Sequence, residues 1–168
     1  MTDADALIEE QIPALRRYAY ALLRDHAAAD DLVQDTLERA LSRWRLRRPD
    51  GDLRAWLFTI QRNLFVNDYR QRQRQGPHAN LDDVTTPGVA AQQEAGLEVQ
   101  DVLAALDQLP EEQKSLLLLI GVEDFSYDDA ARILGVPMGT VMSRLSRGRQ
   151  KLRSILETGR ATLLRRVK

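Results

Sequence analysis

The chain contains no cysteine, which excludes a disulfide framework and a thiolate site and fits a reducing interior. Histidine is nearly as scarce: His26 and His78 stand isolated, with no metal-ligand spacing around either. Long apolar runs are missing too. The longest, Leu116 to Ile120, falls far short of the roughly 20 residues that cross a bilayer. The first residues are acidic and lack a basic start followed by an apolar stretch, so no secretory leader is expected. No nucleophile with a partnering base, metal cluster or phosphate-cradling Gly loop appears. No segment alternates convincingly over strand length, and no internal repeat is found. These absences point away from secreted, membrane and enzyme classes and toward an all-α, cytoplasmic protein without membrane insertion, catalytic residues, metal or cofactor.

Charge gives the first positive signal. The formal net charge of -1 over 168 residues conceals four blocks. Residues 1–38 hold 3 basic and 9 acidic side chains, and residues 39–74 hold 10 and 3. Residues 75–131 hold 1 and 12, and residues 132–168 hold 10 and 1. Affinity for a phosphate backbone depends on local charge, so two basic zones separated by an acidic one predict two DNA-contacting surfaces on separate modules.

The second basic zone contains FSYDDAARILGVPMGTVMSRLSRGRQKL, Phe125 to Leu152, which has the spacing of a helix-turn-helix. Ser126 followed by Asp129 resembles a capping box, and Ala130, Ala131, Ile133 and Leu134 supply the inner face of a short helix. Gly135 ends it. Pro137 opens the next helix where its missing N–H costs nothing, and Val141, Leu145 and Leu152 anchor that helix inward. The other face shows Thr140, Ser143, Arg144, Arg147 and Lys151, donors suited to phosphates and to base edges in a major groove. A solvated amphipathic surface would share this composition, but the tight Gly-containing turn between two helices of the right size favours DNA binding.

Upstream, helical periodicity predicts a first helix over Leu7–Arg24, with Ile12 and Pro13 marking a kink or its true start. Asp25 can cap a second helix with Val33, Leu37, Ala40, Leu41 and Trp44 as its apolar stripe. After a break at Pro49 and Gly51, Asp52 can cap a third helix through about Arg72, with Leu53, Trp56, Leu57, Ile60 and Leu64 facing inward. Trp56 reads as core, while Phe58 is open between core and a base-stacking role. From Gln75 to Gly96 periodicity vanishes in favour of Gly, Pro, Ala, Gln, Thr and Asp, which reads as a flexible linker. The resulting organisation is two small helical domains, 1–74 and 97–168, joined by residues 75–96. The acidic linker fits a nucleic-acid mimic, a thread into a basic channel, or a plain solvated spacer.

Taken together, DDLVQDTLERAL (Asp30 to Leu41), DLRAWLFTIQRNLFVNDYRQRQR (Asp52 to Arg74), LDQLPEEQKSLLLL and VPMGTVMSRLSRGRQKLR resemble the extracytoplasmic-function (ECF) sigma factors of bacterial RNA polymerase. The match runs in order from about Leu7 to Leu156. It implies a sigma region 2 bundle that binds core polymerase and the minus-10 promoter element, and a region 4 helix-turn-helix that binds the minus-35 element. The implied partners are core RNA polymerase, through its beta-prime clamp helices and beta flap, promoter DNA and an anti-sigma factor. Asp31, Gln34, Asp35 and Arg39 then carry the core-polymerase docking role, although the acidic set alone is compatible with an ordinary exposed face. Paired catalytic carboxylates are a weak reading of it. Arg54, Arg62, Asn63, Asn67 and Arg70 fall to the minus-10 element, with the loop Arg47–Asp52 placed where an extruded base is captured. Arginines track phosphates and amides read exposed base edges. Thr140, Ser143, Arg144, Arg147 and Lys151 fall to the minus-35 element. Gly148 stands where alanine is common, and an interior helix glycine is expected to cost about 0.5 to 1 kcal/mol and loosen the helix beyond Arg147. Two rivals remain: a sigma mimic that sequesters an anti-sigma factor, and a helix-turn-helix regulator that leaves the first 74 residues unexplained.

Overall fold

The computed structural model describes residues 3–74 and 97–167, and all regular structure among them is helical. The linker and its possible roles lie outside the described residues. Helices α1 (Asp3–Glu9), α2 (Ile12–Leu23), α3 (His26–Ser42) and α4 (Leu53–Arg74) belong to one compact unit. Helices α5 (Leu97–Asp107), α6 (Glu111–Leu117), α7 (Tyr127–Leu134) and α8 (Met138–Val167) form the rest of the described chain, most of it in a second unit. Among the described residues no helix is long and apolar enough to cross a membrane.

In the first unit, the expected Leu7–Arg24 helix is two helices, because Pro13 sits at the start of α2 and cannot continue the hydrogen-bond ladder of α1. Arg24 then turns the chain by adopting a left-handed conformation, φ 55°, while its N–H reaches Tyr20 O at 2.7 Å. The next residue starts α3: Asp25 Oδ1 accepts from Ala28 N at 3.1 Å. So short a connection lays α2 and α3 side by side. Asp52 repeats the device for α4, accepting from Ala55 N at 3.3 Å.

The core of this unit corrects two expected stripes. On α3 the buried set is Ala29, Leu32, Val33, Thr36 and Ala40, while Leu41 is exposed and Trp44 lies past the helix in a 3-10 turn, Trp44–Leu46. Thr36 tolerates burial because its hydroxyl donates to Leu32 O at 2.7 Å. On α4 the buried set is Leu57, Phe58, Ile60, Gln61 and Phe65; Leu53, Trp56 and Leu64 are only half-buried. Phe58 is core, tilted against the Tyr18 ring at 5.3 Å, and Trp56 packs edge-on to Trp44 at 6.2 Å nearer the surface. The reason is Gln61, fully buried with its Nε2 donating to Leu15 O at 3.0 Å. That bond fixes the rotation of α4 against α2, and Phe58 and Phe65, three and four residues away, turn inward with it.

In the second unit, Ala105, Leu106, Leu109, Leu116, Leu118, Leu119, Phe125, Ala130, Val141 and Leu145 are buried. Lys114 is buried too, its Nζ bonded to Asp107 Oδ1 at 2.6 Å, which ties α6 back to α5. The apolar run does not continue as α-helix. Leu118–Val122 forms a π-helical turn closed by Glu123 N to Leu118 O at 3.0 Å, and Asp124 at φ 59° ends it. The helix-turn-helix follows as expected. Ser126 Oγ accepts from Asp129 N at 3.1 Å, Gly135 takes φ 66°, and Pro137 O accepts from Thr140 N and Val141 N at 3.0 and 3.1 Å.

Exchanging the roles of the two aromatics has a measurable consequence. Phe58→Ala is expected to lower the stability of the chain by about 3 to 5 kcal/mol, the usual loss for a buried aromatic. Trp56→Ala is expected to lower it by clearly less. Chemical denaturation followed by circular dichroism decides the order; equal losses would return Trp56 to the core.

Candidate nucleic-acid and polymerase interface

Packing determines which side chains each helix leaves outside. With Leu32, Val33 and Thr36 turned in, α3 presents Asp31, Gln34, Asp35 and Arg39, all exposed. Asp30 beside them is engaged with Arg16 of α2, Oδ1 to Nε at 3.1 Å, in a pair that stays well solvated. Asp31 and Asp35 thus form an outward carboxylate pair one turn apart.

With Phe58, Gln61 and Phe65 turned in, α4 presents Arg62, Asn63, Asn67 and Arg70. These four line one surface with Arg39 and Arg43 of α3. Asn63 and Asn67 are exposed there, so two amides, each with donor and acceptor capacity, are flanked by arginines. Arg62 lies over the Phe65 ring at 5.5 Å, which keeps its guanidinium close to the helix. Arg54 does not join this set: it stacks over Phe58 at 5.6 Å, and nine residues of α-helix place it about 13 Å along the axis from Asn63. In the Arg47–Asp52 loop, Arg47 lies 4.1 Å over the Trp44 ring, and Leu46, which precedes it, is 82% exposed.

In the second unit, burial of Val141, Leu145 and Gly148 sets the rotation of α8. Ser143, Arg147 and Lys151 are exposed, Thr140 is half-buried, and Ser143 Oγ donates to Thr140 O at 3.2 Å. Arg144 is held: its Nη2 lies 3.1 Å from Glu112 Oε2 on α6. On the other flank of α8, Met142, Ser146, Arg149 and Arg153 line an open concavity with Tyr127. Among the described residues no group of His, Cys, Asp and Glu is arranged to hold a metal.

Comparison with known proteins decides the family. Residues 8–61 match the family model described as the sigma-2 domain of PhyR, and residues 100–152 match sigma-70, region 4. The chain is 46% identical over 145 residues to the ECF RNA polymerase sigma factor EcfG of Rhodopseudomonas palustris, covering 86% of this chain and 80% of that one. The chain belongs to the ECF RNA polymerase sigma factors. A solved structure of the sigma factor RpoE in complex with the anti-sigma factor NepR, from Bartonella quintana, aligns with a TM-score of 0.81 at 39% identity, covering 94% of this chain and 98% of that one. The anti-anti-sigma factor PhyR of the same organism, solved with NepR, aligns with a TM-score of 0.59 over 88% of this chain and 48% of that one; at 17% identity it shares the fold alone.

This sigma factor is therefore a transcription initiation factor with its two family modules in the order the motifs gave. Sequence reasoning missed four residues of its surfaces. Arg43 follows Arg39 by one turn, a spacing legible in the sequence, and Arg149 and Arg153 repeat that spacing on α8. Glu112 is the fourth, and as it stands 32 positions before Arg144 no local signal reveals it.

Gly148 also differs from expectation. It is buried, and a Cβ there would lie 3.3 Å from Leu117 Cδ1 and 3.4 Å from Gln113 Cβ. The residue lets α8 approach α6 closely, and α8 runs unbroken past it. Gly148→Ala is expected to be nearly neutral in thermal unfolding, the roughly 0.5 to 1 kcal/mol helix-propensity gain offsetting a tight contact. Gly148→Leu is expected to cost about 1 to 3 kcal/mol by overpacking. A tolerated leucine would mean the α6–α8 approach is not close.

Proposed function

We propose that this sigma factor uses three separate faces in initiation: Asp31, Gln34, Asp35 and Arg39 to dock on the beta-prime clamp helices of core polymerase, Arg62, Asn63, Asn67 and Arg70 to hold the minus-10 element, and Thr140, Ser143, Arg144, Arg147 and Lys151 to read the minus-35 element. The observation that supports it most is that core packing turns each of these sets outward on its own helix. Region boundaries at 1–74 and 97–168 with a linker at 75–96, contact of region 4 with the beta flap, a cytoplasmic location and the lack of any catalysis of its own belong to the same reading. Arg54 has a weaker claim to the minus-10 element than the sequence suggested, and Arg39 and Arg43 extend the basic surface beside Asn63.

Within the minus-35 face, the ion pair supports a base-edge role for Arg144. A guanidinium already oriented by a carboxylate loses less freedom when it meets the acceptors of a guanine. Arg147, exposed on the next turn, suits a phosphate. Control by an anti-sigma factor of the NepR kind is supported by the similarity to the RpoE–NepR pair. One observation favours a second reading, an anti-sigma-sequestering mimic: the first module matches the sigma-2 domain of PhyR. Against it stand the exposed amides on α4 and the basic face of α8, which a mimic does not need.

Exposed charges contribute little to folding, so Asp31→Arg with Asp35→Arg is expected to leave thermal unfolding unchanged and to abolish co-purification with core polymerase. Wild-type recovery of the double variant with core would refute the docking face. Asn63→Ala is expected to spare assembly with core and to reduce strand opening. Permanganate reactivity of the melted promoter region reads this directly, and unchanged reactivity would assign Asn63 a purely structural part.

A further inference from the structure

Glu112 lies in the first turn of α6 and belongs to none of the three residue sets proposed for polymerase and DNA. Its Oε2 lies 3.1 Å from Arg144 Nη2, with the arginine side chain 28% exposed and the glutamate 56%. We infer that Glu112 is a specificity-determining residue of the promoter-reading surface, acting through Arg144 by fixing which edge of that guanidinium meets a base pair and by excluding phosphate from it. The inference rests on the proposed role of α8 as the reading helix, with Arg144 at a base edge.

Two features of the geometry support it. Arginine carries five N–H donors in a planar fork, so a carboxylate 3.1 Å from Nη2 restrains the orientation of that plane and leaves other donors available. A fixed plane is what bidentate recognition of guanine O6 and N7 requires, because both acceptors must be met at once. The carboxylate also treats the two possible ligands of Arg144 differently. A phosphate approaching the guanidinium meets the negative charge of Glu112, 3.1 Å from its Nη2, whereas the neutral acceptors of a base edge meet no comparable repulsion. A repulsive element aimed at the wrong ligand raises discrimination without adding affinity for the right one. A pair this solvated contributes little to the fold, so its principal effect falls on binding.

The test uses the full chain assembled with core polymerase and a promoter selected by the wild-type holoenzyme from DNA randomised across the minus-35 element. Single base-pair variants of that promoter and a nonspecific duplex are competed across a salt series. Glu112→Gln keeps the size and one acceptor but removes the charge. It is expected to reduce preference about tenfold at the same one or two base pairs that Arg144→Ala affects, and to raise affinity for nonspecific DNA. Glu112→Asp, which keeps the charge, is expected to hold nonspecific affinity at the wild-type level. In an Arg144→Ala background Glu112→Gln is expected to change preference no further. Wild-type preference in Glu112→Gln, beside a loss in Arg144→Ala, would overturn the role of Glu112 while leaving the reading helix in place. A further loss in the double variant would show that Glu112 does not act through Arg144. Unchanged binding and preference in both Arg144→Ala and Arg147→Ala would overturn the α8 reading and this inference with it. Matching thermal transitions exclude misfolding as the cause of any loss, and Glu112→Ala, which also removes the charge, serves should Glu112→Gln fold poorly.

Discussion

The rotation of two long helices about their own axes is the constraint on which the functional surfaces depend. An α-helix turns about 100° per residue, so once a buried stripe is fixed every other side chain has a fixed direction. On α4 the stripe is fixed by the Gln61 amide on Leu15 O and by Phe58 and Phe65 beside it. On α8 it is fixed by Val141 and Leu145, and by Gly148, where the absence of a Cβ lets the helix settle against Leu117 and Gln113. Turning either helix by one residue would bury an arginine and expose an aromatic or a leucine. Asn63, Asn67 and Arg147 face outward for that reason, while Arg144, half-buried, is held by Glu112 as well.

The fold keeps opposite charges at close quarters by giving them separate neighbours. Asp30 is engaged by Arg16 and Asp107 by Lys114, while Asp31 and Asp35 are left outward. The buried Lys114 pair differs in kind from the surface ones. A charge withdrawn from water without its partner is costly, so Lys114 and Asp107 tie α6 to α5, whereas the exposed Arg16–Asp30 pair is worth at most about 1 kcal/mol. The first belongs to architecture and the second to surface electrostatics, though both appear as ion pairs.

Much of this was legible in the sequence, and what was not has a specific cause. The helices, the caps at Asp25, Asp52 and Ser126, and the turn at Gly135 follow from local chemistry, and local chemistry is visible in a single chain. The buried stripes of α3 and α4 differ from those an apolar pattern predicts because two polar residues, Thr36 and Gln61, belong to them. Both are buried with a donor engaged by a carbonyl, one on the same helix and one on α2, and a polar residue held in this way is silent in a hydrophobic pattern. An apolar stripe drawn without Gln61 runs through Trp56, whereas the observed one runs through Phe58, three residues before the buried amide. The π turn at Leu118–Val122 was hidden because an unbroken apolar run carries no mark of where its hydrogen bonding changes.

The distinction between folding and function then follows from magnitudes. The side chains assigned to polymerase and DNA are mostly exposed, and exposed charges alter stability by tenths of a kcal/mol. The same charges at a desolvated interface, or against a phosphate backbone whose counterions they release, alter binding by much more. A chain with alternating acidic and basic blocks can therefore vary its surfaces without endangering its core. Glu112 and Arg144 sit at the boundary between these regimes. The pair is solvated enough to matter little for folding, yet it lies on the reading face, where a fixed carboxylate changes which acceptor an arginine prefers. A contact that looks dispensable for stability is, for that reason, free to be tuned for recognition.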